Sequence, residues 1–290
     1  MRILVTGAKG QLGVELLEIL GLAHEVIGLD LPELDITAAA AADQVTDLRP
    51  AWVVHAAAAT DVDGCERDPA WAQAVNGEGT RRVADGCRRA GAGMIYISTD
   101  FVFDGRKRSP YTEADEPAPL SAYGRSKLAG EEATRALAPR WAIVRTAWLY
   151  GVSGKNFVKT IVEKAAAGEA LRVVDDQVGS PTYARDLARA LAELVPRQLT
   201  GVYHLSNSGS CSWYEFARAI LEQAGLEATP LTPIMSAELG RPARRPAFSV
   251  LANRAWAAAG LQPLRPWPEA LTDMLAGWRA VGSASCCAAR

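Results

Sequence analysis

The sequence predicts an α/β fold with a doubly wound parallel sheet, and three observations carry that expectation. Short, continuously apolar runs rich in β-branched residues alternate with helical patterns through the first half of the chain. Those runs lack the polar–apolar alternation of a half-exposed strand, so both faces of the sheet must be covered. The first run passes directly into a glycine-rich turn and then a helix, an arrangement in which free N–H groups can meet a phosphate.

Taken in order, Ile3-Leu4-Val5 is expected as the first strand and residues 11–20 as an amphipathic helix. Val26-Ile27-Gly28-Leu29 is the second strand, ending at Asp30, and Trp52-Val53-Val54-His55 the third. Residues 76–90 read as a helix before the strand Ile95-Tyr96-Ile97-Ser98, and the helix holding Lys127 precedes the strand Ala142-Ile143-Val144-Arg145. Beyond about Gly151 the rhythm loosens, with helices expected at 156–167 and 183–195 and extended segments at 171–174 and 202–205. Ser212-Trp213-Tyr214-Glu215 has the form of a capping box, opening a helix that runs to Gly225. Prolines from Pro230 to Pro268 mark a loop-rich lobe.

Composition narrows the function classes. A chain of 290 residues, 49% hydrophobic and 22% charged, buries a substantial core. A net charge of -2 and a pI near 6.0 give no basic field for nucleic acid or an anionic membrane. No stretch approaches the roughly 18 apolar residues of a membrane span, and the first apolar run is too short for a signal-peptide core. The expected location is therefore the cytoplasm. The cysteines (Cys65, Cys87, Cys211, Cys286 and Cys287) are odd in number and lack C-x-x-C spacing, and the histidines are isolated. Neither a disulfide framework nor a metal centre is expected.

Gly7, Gly10 and Gly13 follow the first strand with a G-x-x-G-x-x-G spacing. Such glycines serve a tight turn, close backbone approach to a pyrophosphate, and close helix–strand packing. Asp30, at the end of the second strand, can accept hydrogen bonds from an adenosine ribose diol. Its carboxylate disfavours a 2′-phosphate, and only Lys9 offers partial compensation, so NAD(H) should bind well without excluding NADP(H). The small residues Ala56 to Ala59 and Thr60, after the third strand, suit close contact with an adenosine.

Tyr123 and Lys127 form a Y-x-x-x-K pair, and i, i+4 spacing places both on one helix face. A free tyrosine titrates near ~10, and an adjacent cation is expected to lower that value. Proton donation to a carbonyl as hydride arrives is general acid catalysis. Ser98-Thr99 ends a sheet strand, where open α/β sheets bind ligands, so a hydroxyl there can reach the substrate oxygen or the tyrosine.

Thr6-Gly7-x-x-Gly10-x-x-Gly13, Ser98-Thr99 and Tyr123-x-x-x-Lys127 together resemble the extended short-chain dehydrogenase/reductase family. Gly10-Gln11-Leu12-Gly13, the run Ser98 to Gly105, Tyr123 to Glu131, Arg145 to Tyr150 and Asp176 to Thr182 resemble its dTDP-4-dehydrorhamnose reductase branch. The resemblance implies a Rossmann-type sheet and NADH- or NADPH-dependent reduction of a 4-keto-6-deoxysugar carried on dTDP, yielding dTDP-L-rhamnose. It also implies a cofactor lined by Gly7, Gly10, Gln11, Leu12, Gly13, Asp30, Asp35, Ile36, Ala58, Ala59 and Thr60, with Tyr123 and Lys127 at the nicotinamide end. Thr99, Asp100 and Trp148 would meet the sugar, with Tyr123, Lys127 and Thr99 catalytic.

A substrate diphosphate needs cations, and Arg245, in the run Arg241 to Pro246, is the expected contact. Some members of the branch join into dimers through a metal held by glutamates. Glu15 matches one such place, but Arg185 stands where a second glutamate would be expected, so no metal is expected here. The chain is expected as a monomer or homodimer. Phe101, following Asp100, cannot move a proton, which disfavours the dehydratases of the superfamily. An epimerase, a reductase of another nucleotide-linked 4-keto sugar, and a non-catalytic cofactor-binding subunit stay open. The expected division is a dinucleotide-binding domain over 1–150, a mainly substrate-binding lobe over 151–282 with segments returning to the first sheet, and a disordered tail over 283–290.

Overall fold

The computed structural model describes residues 1–198 and 200–287, the side chains of 196 and 281–287 excepted. The first half comprises β1 (Arg2–Thr6), α1 (Gln11–Gly21), β2 (Glu25–Leu29), α2 (Ala41–Asp47), β3 (Trp52–His55), α3 (Val62–Arg67) and α4 (Pro69–Ala72). A π-helical turn, Gln73–Gly79, then runs into α5 (Thr80–Ala90), followed by β4 (Gly93–Thr99), α6 (Ala122–Leu137) and β5 (Arg140–Thr146). The second half adds β6 (Leu149–Tyr150), α7 (Phe157–Ala166), β7 (Leu171–Val174), β8 (Val178–Gly179), β9 (Thr182–Tyr183), α8 (Ala184–Arg197) and β10 (Gly201–His204). It ends with β11 (Cys211–Ser212), α9 (Trp213–Ala224), β12 (Leu231–Ile234), α10 (Arg254–Ala258) and α11 (Trp267–Cys287).

Six parallel strands form the central sheet among the described residues, in the order β10-β5-β4-β3-β1-β2. Successive residues of each strand point to opposite faces, and both faces are buried. Ile3, Val5, Trp52, Val54, Ile95, Ile97, Ala142 and Val144 pack with α1 and α8, while Leu4, Val53, Met94, Tyr96 and Ile143 pack with α2 and α5. This double covering is why the strands read as unbroken apolar runs. The chain leaves β1 toward β2 on one side and returns at β3 on the other, so β1 and β3 flank the point where connections diverge, where ligands bind in such sheets.

The expected domain boundary at 150 is crossed by later segments. Leu187, Ala188, Leu191, Leu194 and Val195 of α8 join the first core, and β10 extends the sheet beside β5. The other core gathers Tyr150, Val158, Ile161, Leu171, Phe216, Ile220, Leu271 and Met274. Ser212 and Glu215 make the reciprocal capping box: the Ser212 hydroxyl accepts from the Glu215 N–H at 3.0 Å, and the Glu215 carboxylate accepts from the Ser212 N–H at 2.8 Å.

The proline-rich stretch is more ordered than expected. It contains β12, an edge strand that tolerates Pro233, and then α10 and the start of α11. α11 also continues to Cys287, into the segment expected to be disordered. No proline follows Pro268, so no residue there forces the helix to stop, although Gly277 and Gly282 weaken it. Residues 288–290 of that expected tail lie outside the described residues. No helix among the described residues is long and apolar enough to cross a membrane.

Candidate active site

One cleft of about 1240 Å³ runs along the C-terminal ends of β1, β3, β4 and β5 and is closed by the second half of the chain. It exceeds the usual range of about 300–1,000 Å³ for a single small ligand, which suits two ligands meeting end to end. Its lining includes Gly7, Gly10, Gln11, Leu12, Gly13, Asp30, Asp35, Ile36, Ala58 and Thr60 along one wall. Thr99, Asp100, Tyr123, Lys127, Trp148 and Arg245 line the remainder. Of the residues expected at the site, Ala59 alone stays off this surface. It is buried, with its N–H on Asn76 Oδ1 at 2.8 Å and its carbonyl on Asn76 Nδ2 at 3.0 Å.

The glycine turn explains its own composition. Gly7 has φ +70°, and a Cβ there would lie 2.7 Å from the Ala57 nitrogen. A Cβ on Gly13 would lie 2.1 Å from the Gly7 carbonyl oxygen. Backbone thus passes backbone with no room for a side chain, and the first turn of α1 opens on the cleft without a side-chain cap. At the far end Asp30 accepts from the Lys9 and Leu31 N–H groups at 2.9 and 2.8 Å. Each oxygen retains a lone pair for a ribose hydroxyl. Lys9, expected to ease a 2′-phosphate, instead sends its ammonium to the Leu31 carbonyl at 2.7 Å and to Glu33 at 2.9 Å.

α6 begins at Ser121, whose hydroxyl caps the Gly124 N–H at 3.2 Å, and carries Tyr123, Lys127 and Glu131 on successive turns of one face. Tyr123 is half-buried, edge-on to Phe101 at 5.5 Å between centroids. The Thr99 hydroxyl, at the end of β4 beside it, donates to Asp100 Oδ1 at 3.0 Å and accepts the Phe101 N–H at 3.2 Å. Lys127 is buried, donates to the Ile97 carbonyl at 2.7 Å and lies 4.3 Å over the Tyr96 ring.

The electrostatics depart from the expectation for this pair. Burial pushes the Tyr123 hydroxyl upward, opposed by Thr99 and reinforced by the Asp100 charge. Burial also pulls Lys127 down to about 7, with Glu131 holding it up. The lysine therefore does not make the tyrosine acidic in this arrangement, because its ammonium is committed to Ile97 and desolvation dominates both groups. Asp100, also buried, is raised to about 6; the Thr99 and Ser249 hydroxyls beside it oppose the rise without giving Oδ2 an aligned hydrogen bond.

Six buried side-chain polar atoms have no hydrogen-bond partner among the described residues, and four of them line this cleft: Gln11 Oε1, Asp100 Oδ2, Thr146 Oγ1 and the Tyr150 hydroxyl. Each such group costs about 1–3 kcal/mol unless something satisfies it, so their clustering marks the cleft as a place for a polar ligand. Thr146, beside Thr99 in the strand register, lay one residue beyond the expected strand Ala142 to Arg145 and was read only within the run Arg145 to Tyr150. Asn76 is the other residue that sequence reading missed. From the π-helical turn it ties Ala59 to the Ser126 hydroxyl at 3.0 Å, and Ser126 in turn donates to the Tyr123 carbonyl. An asparagine directly before Gly77 and Gly79, inside a stretch that reads as helix, was the available signal.

Trp148 adopts φ +45° and stacks on Trp213 with centroids 3.6 Å apart. Arg245 is not free for a phosphate: its guanidinium is paired with Asp63 at 2.9 Å. Arg185 donates to Glu15 at 2.9 Å and pairs with Glu18, occupying the carboxylate that a bridging metal would need.

The family model described as RmlD substrate binding domain matches residues 1–279. The chain is 44% identical over 282 residues to a dTDP-4-dehydrorhamnose reductase of Mycobacterium tuberculosis (strain H37Rv), covering 95% of this chain and 92% of that protein. The crystal structure of a dTDP-4-dehydrorhamnose reductase from Clostridium acetobutylicum superposes with a TM-score of 0.93 at 42% identity, covering 96% and 100% of the two chains. Another from Bacillus anthracis, in complex with NADP, gives a TM-score of 0.92 at 39% identity, covering 95% and 99%.

Proposed function

The chain belongs to the RmlD substrate binding domain family, and from that premise we propose that it reduces the C4 keto group of dTDP-4-dehydrorhamnose to dTDP-L-rhamnose, using NADH or NADPH. One observation carries the reading: Thr99, Tyr123 and Lys127 converge at the end of β4 in a cleft that also holds the glycine turn.

The residues present fit a nicotinamide dinucleotide. Gly7 and Gly13 let the turn close tightly so that the uncapped start of α1 opens on the cleft, and Gln11 Oε1 lacks a partner there. Gly7, Gly10, Gln11, Leu12 and Gly13 would hold the pyrophosphate and Asp30 the adenosine ribose, with Asp35, Ile36, Ala58 and Thr60 along the same wall. When bound, the reduced cofactor supplies the hydride. Tyr123 holds the proton on its hydroxyl, and burial keeps it there until the neighbouring substrate oxygen becomes basic enough to take it. The Thr99 hydroxyl, turned from Asp100 Oδ1 to that oxygen, would donate a hydrogen bond to it and keep it beside the tyrosine. Turned from the Ile97 carbonyl toward Tyr123, a charged Lys127 would favour the phenolate left behind. Asp100 and Trp148 flank the sugar.

Arg185 neutralises Glu15 and Glu18, which supports a monomer or a homodimer without a bridging metal. The cytoplasm, where nucleotide sugars meet reduced nicotinamide, is the location this reading implies. The test supplies purified protein with dTDP-4-keto sugars of differing stereochemistry and follows NADH and NADPH oxidation separately. Stoichiometric oxidation with dTDP-4-dehydrorhamnose is expected. Substrate conversion without cofactor oxidation would instead identify an epimerase, and no conversion of any keto sugar would overturn the proposal.

A further inference from the structure

Asp63 lies in α3, directly after the cleft-wall residues Thr60 and Val62, yet its carboxylate is directed to the far end of the chain. It accepts from Arg245 Nη1 at 3.1 Å and Nη2 at 2.9 Å, from Arg241 Nη1 at 3.1 Å, and from the Ala243 N–H at 3.2 Å. The side chains of Asp63 and Arg245 are only 15% and 17% exposed, which separates this cluster from weak surface pairs. Burial alone would raise the Asp63 carboxyl; the Arg245 hydrogen bond, the Ala243 N–H, the Arg245 charge and Arg241 together hold it at about 2.

The same segment is pinned again a few residues on. Gly105, at φ +71°, stands so close beneath it that a Cβ would lie 2.5 Å from Pro246 Cβ and 2.7 Å from the Ala247 nitrogen. The Val178 N–H donates to the Ala247 carbonyl and the Ser249 N–H to the Val178 carbonyl, both at 2.8 Å. Within the first anchor, between Ala243 and Arg245, Arg244 lines the cleft, exposed and with no acidic partner among the described residues. Of these neighbouring arginines, Arg244 alone keeps its guanidinium for an incoming anion.

We propose that Asp63 is a positioning residue for the substrate: by gripping Arg245, Arg241 and the Ala243 backbone it fixes the 241–249 segment against the cofactor wall, so that Arg244 meets the diphosphate of the nucleotide sugar. The substrate class rests on the reductase reading above. The experiment measures binding of thymidine diphosphate to the full chain by calorimetry, together with steady-state kinetics on the keto sugar. Asp63→Asn raises the thymidine diphosphate Kd and the sugar KM about tenfold or more, changes kcat far less, and leaves the NADH Kd unaltered. Arg244→Ala does the same, and Asp63→Glu recovers most of the loss. Arg241→Ala, which removes one exposed donor and endangers no buried charge, raises KM by about threefold and covers the case in which Asp63→Asn does not fold. Unchanged KM in folded Asp63→Asn, unchanged KM in Arg241→Ala, or equal falls in kcat and NADH affinity would overturn the assignment. A wild-type chain that neither binds thymidine diphosphate nor turns over the keto sugar would sink the reductase reading itself.

Discussion

Glu131 grips Arg145 through two parallel hydrogen bonds of 2.8 Å, and both side chains are buried. The same carboxylate accepts from Ser98 at 2.7 Å and from Arg135 at 2.9 Å. It thereby binds the ends of β4 and β5 to α6, the helix that presents Tyr123 and Lys127. Removing one partner of a buried pair strands the other charge, at a cost of about 3–5 kcal/mol. Glu131→Gln is expected to lose that much in urea unfolding.

The same substitution reaches the chemistry through Lys127, one turn earlier. Burial depresses Lys127 to about 7 and the Glu131 charge holds it up. If the charged lysine supports the phenolate, kcat falls as pH rises through about 7 in the wild type. In Glu131→Gln that decline starts at lower pH, which a kcat–pH profile would detect. A profile that does not move, in a folded variant, removes the link between Glu131 and Lys127.

Tyr123→Phe isolates the proton. The ring keeps its edge contact with Phe101, so packing and cofactor affinity should survive. Loss of a positioned acid costs about 10²–10⁴-fold, and kcat is expected to fall in that range with NADH binding, followed by fluorescence, nearly unchanged. Near-normal turnover would move the proton donor elsewhere, with Asp100, raised to about 6, the next group to test.

The parallel sheet and the glycine turn were legible because local rules fix them: doubly covered strands lose their alternation, and backbone contacts at Gly7 and Gly13 exclude any side chain. The Tyr123–Lys127 pair was legible because helical spacing alone sets its geometry. The pairing of Arg245 was not legible because its partner, Asp63, lies 182 residues away, and no local pattern says which arginine of a run will be paired. The direction of the Tyr123 shift was misjudged for a related reason: spacing shows that a lysine is near, but not how much water the fold removes from both groups. Trp213 stacked on Trp148 likewise joins two lobe segments that only tertiary packing brings together.

Two neutral buried histidines make the fold acid-sensitive. His55 sits between the Thr6 and Thr80 hydroxyls at 2.6 and 3.1 Å, and burial, then the Lys127 charge, lowers it to about 3. Burial and the Arg145 charge lower His204 to about 3. Below pH ~6.5 the unfolded chain binds these protons and the native chain does not, so stability falls with pH by about 1.4 kcal/mol per pH unit for each. Asp100 works the other way below about 6, since its native carboxyl takes up a proton first. Asp63 and Asp115, held at about 2, contribute only below the usual carboxylate range. Urea unfolding should therefore show a net loss of about 1.4 kcal/mol per unit between pH 6 and 4. A flat profile would contradict two neutral histidines.

Gly179 decides where the Trp148 indole lies. A Cβ at position 179 would fall 2.5 Å from Trp148 Cε2 and 2.6 Å from its Nε1. Gly179 has no left-handed backbone to satisfy, so the missing side chain serves space alone. Trp148 cannot yield easily, because it is stacked on Trp213, which packs against Phe157 at 4.5 Å. Gly179→Ala must push the indole along the cleft wall while leaving the glycine turn and Asp30, on the opposite wall, untouched. The expected result is a rise in the keto-sugar KM of about tenfold or more, with the NADH Kd unchanged. Trp148→Ala in the same background should add little further loss, since the displaced ring no longer contributes; additive losses would show that the two substitutions act on different contacts.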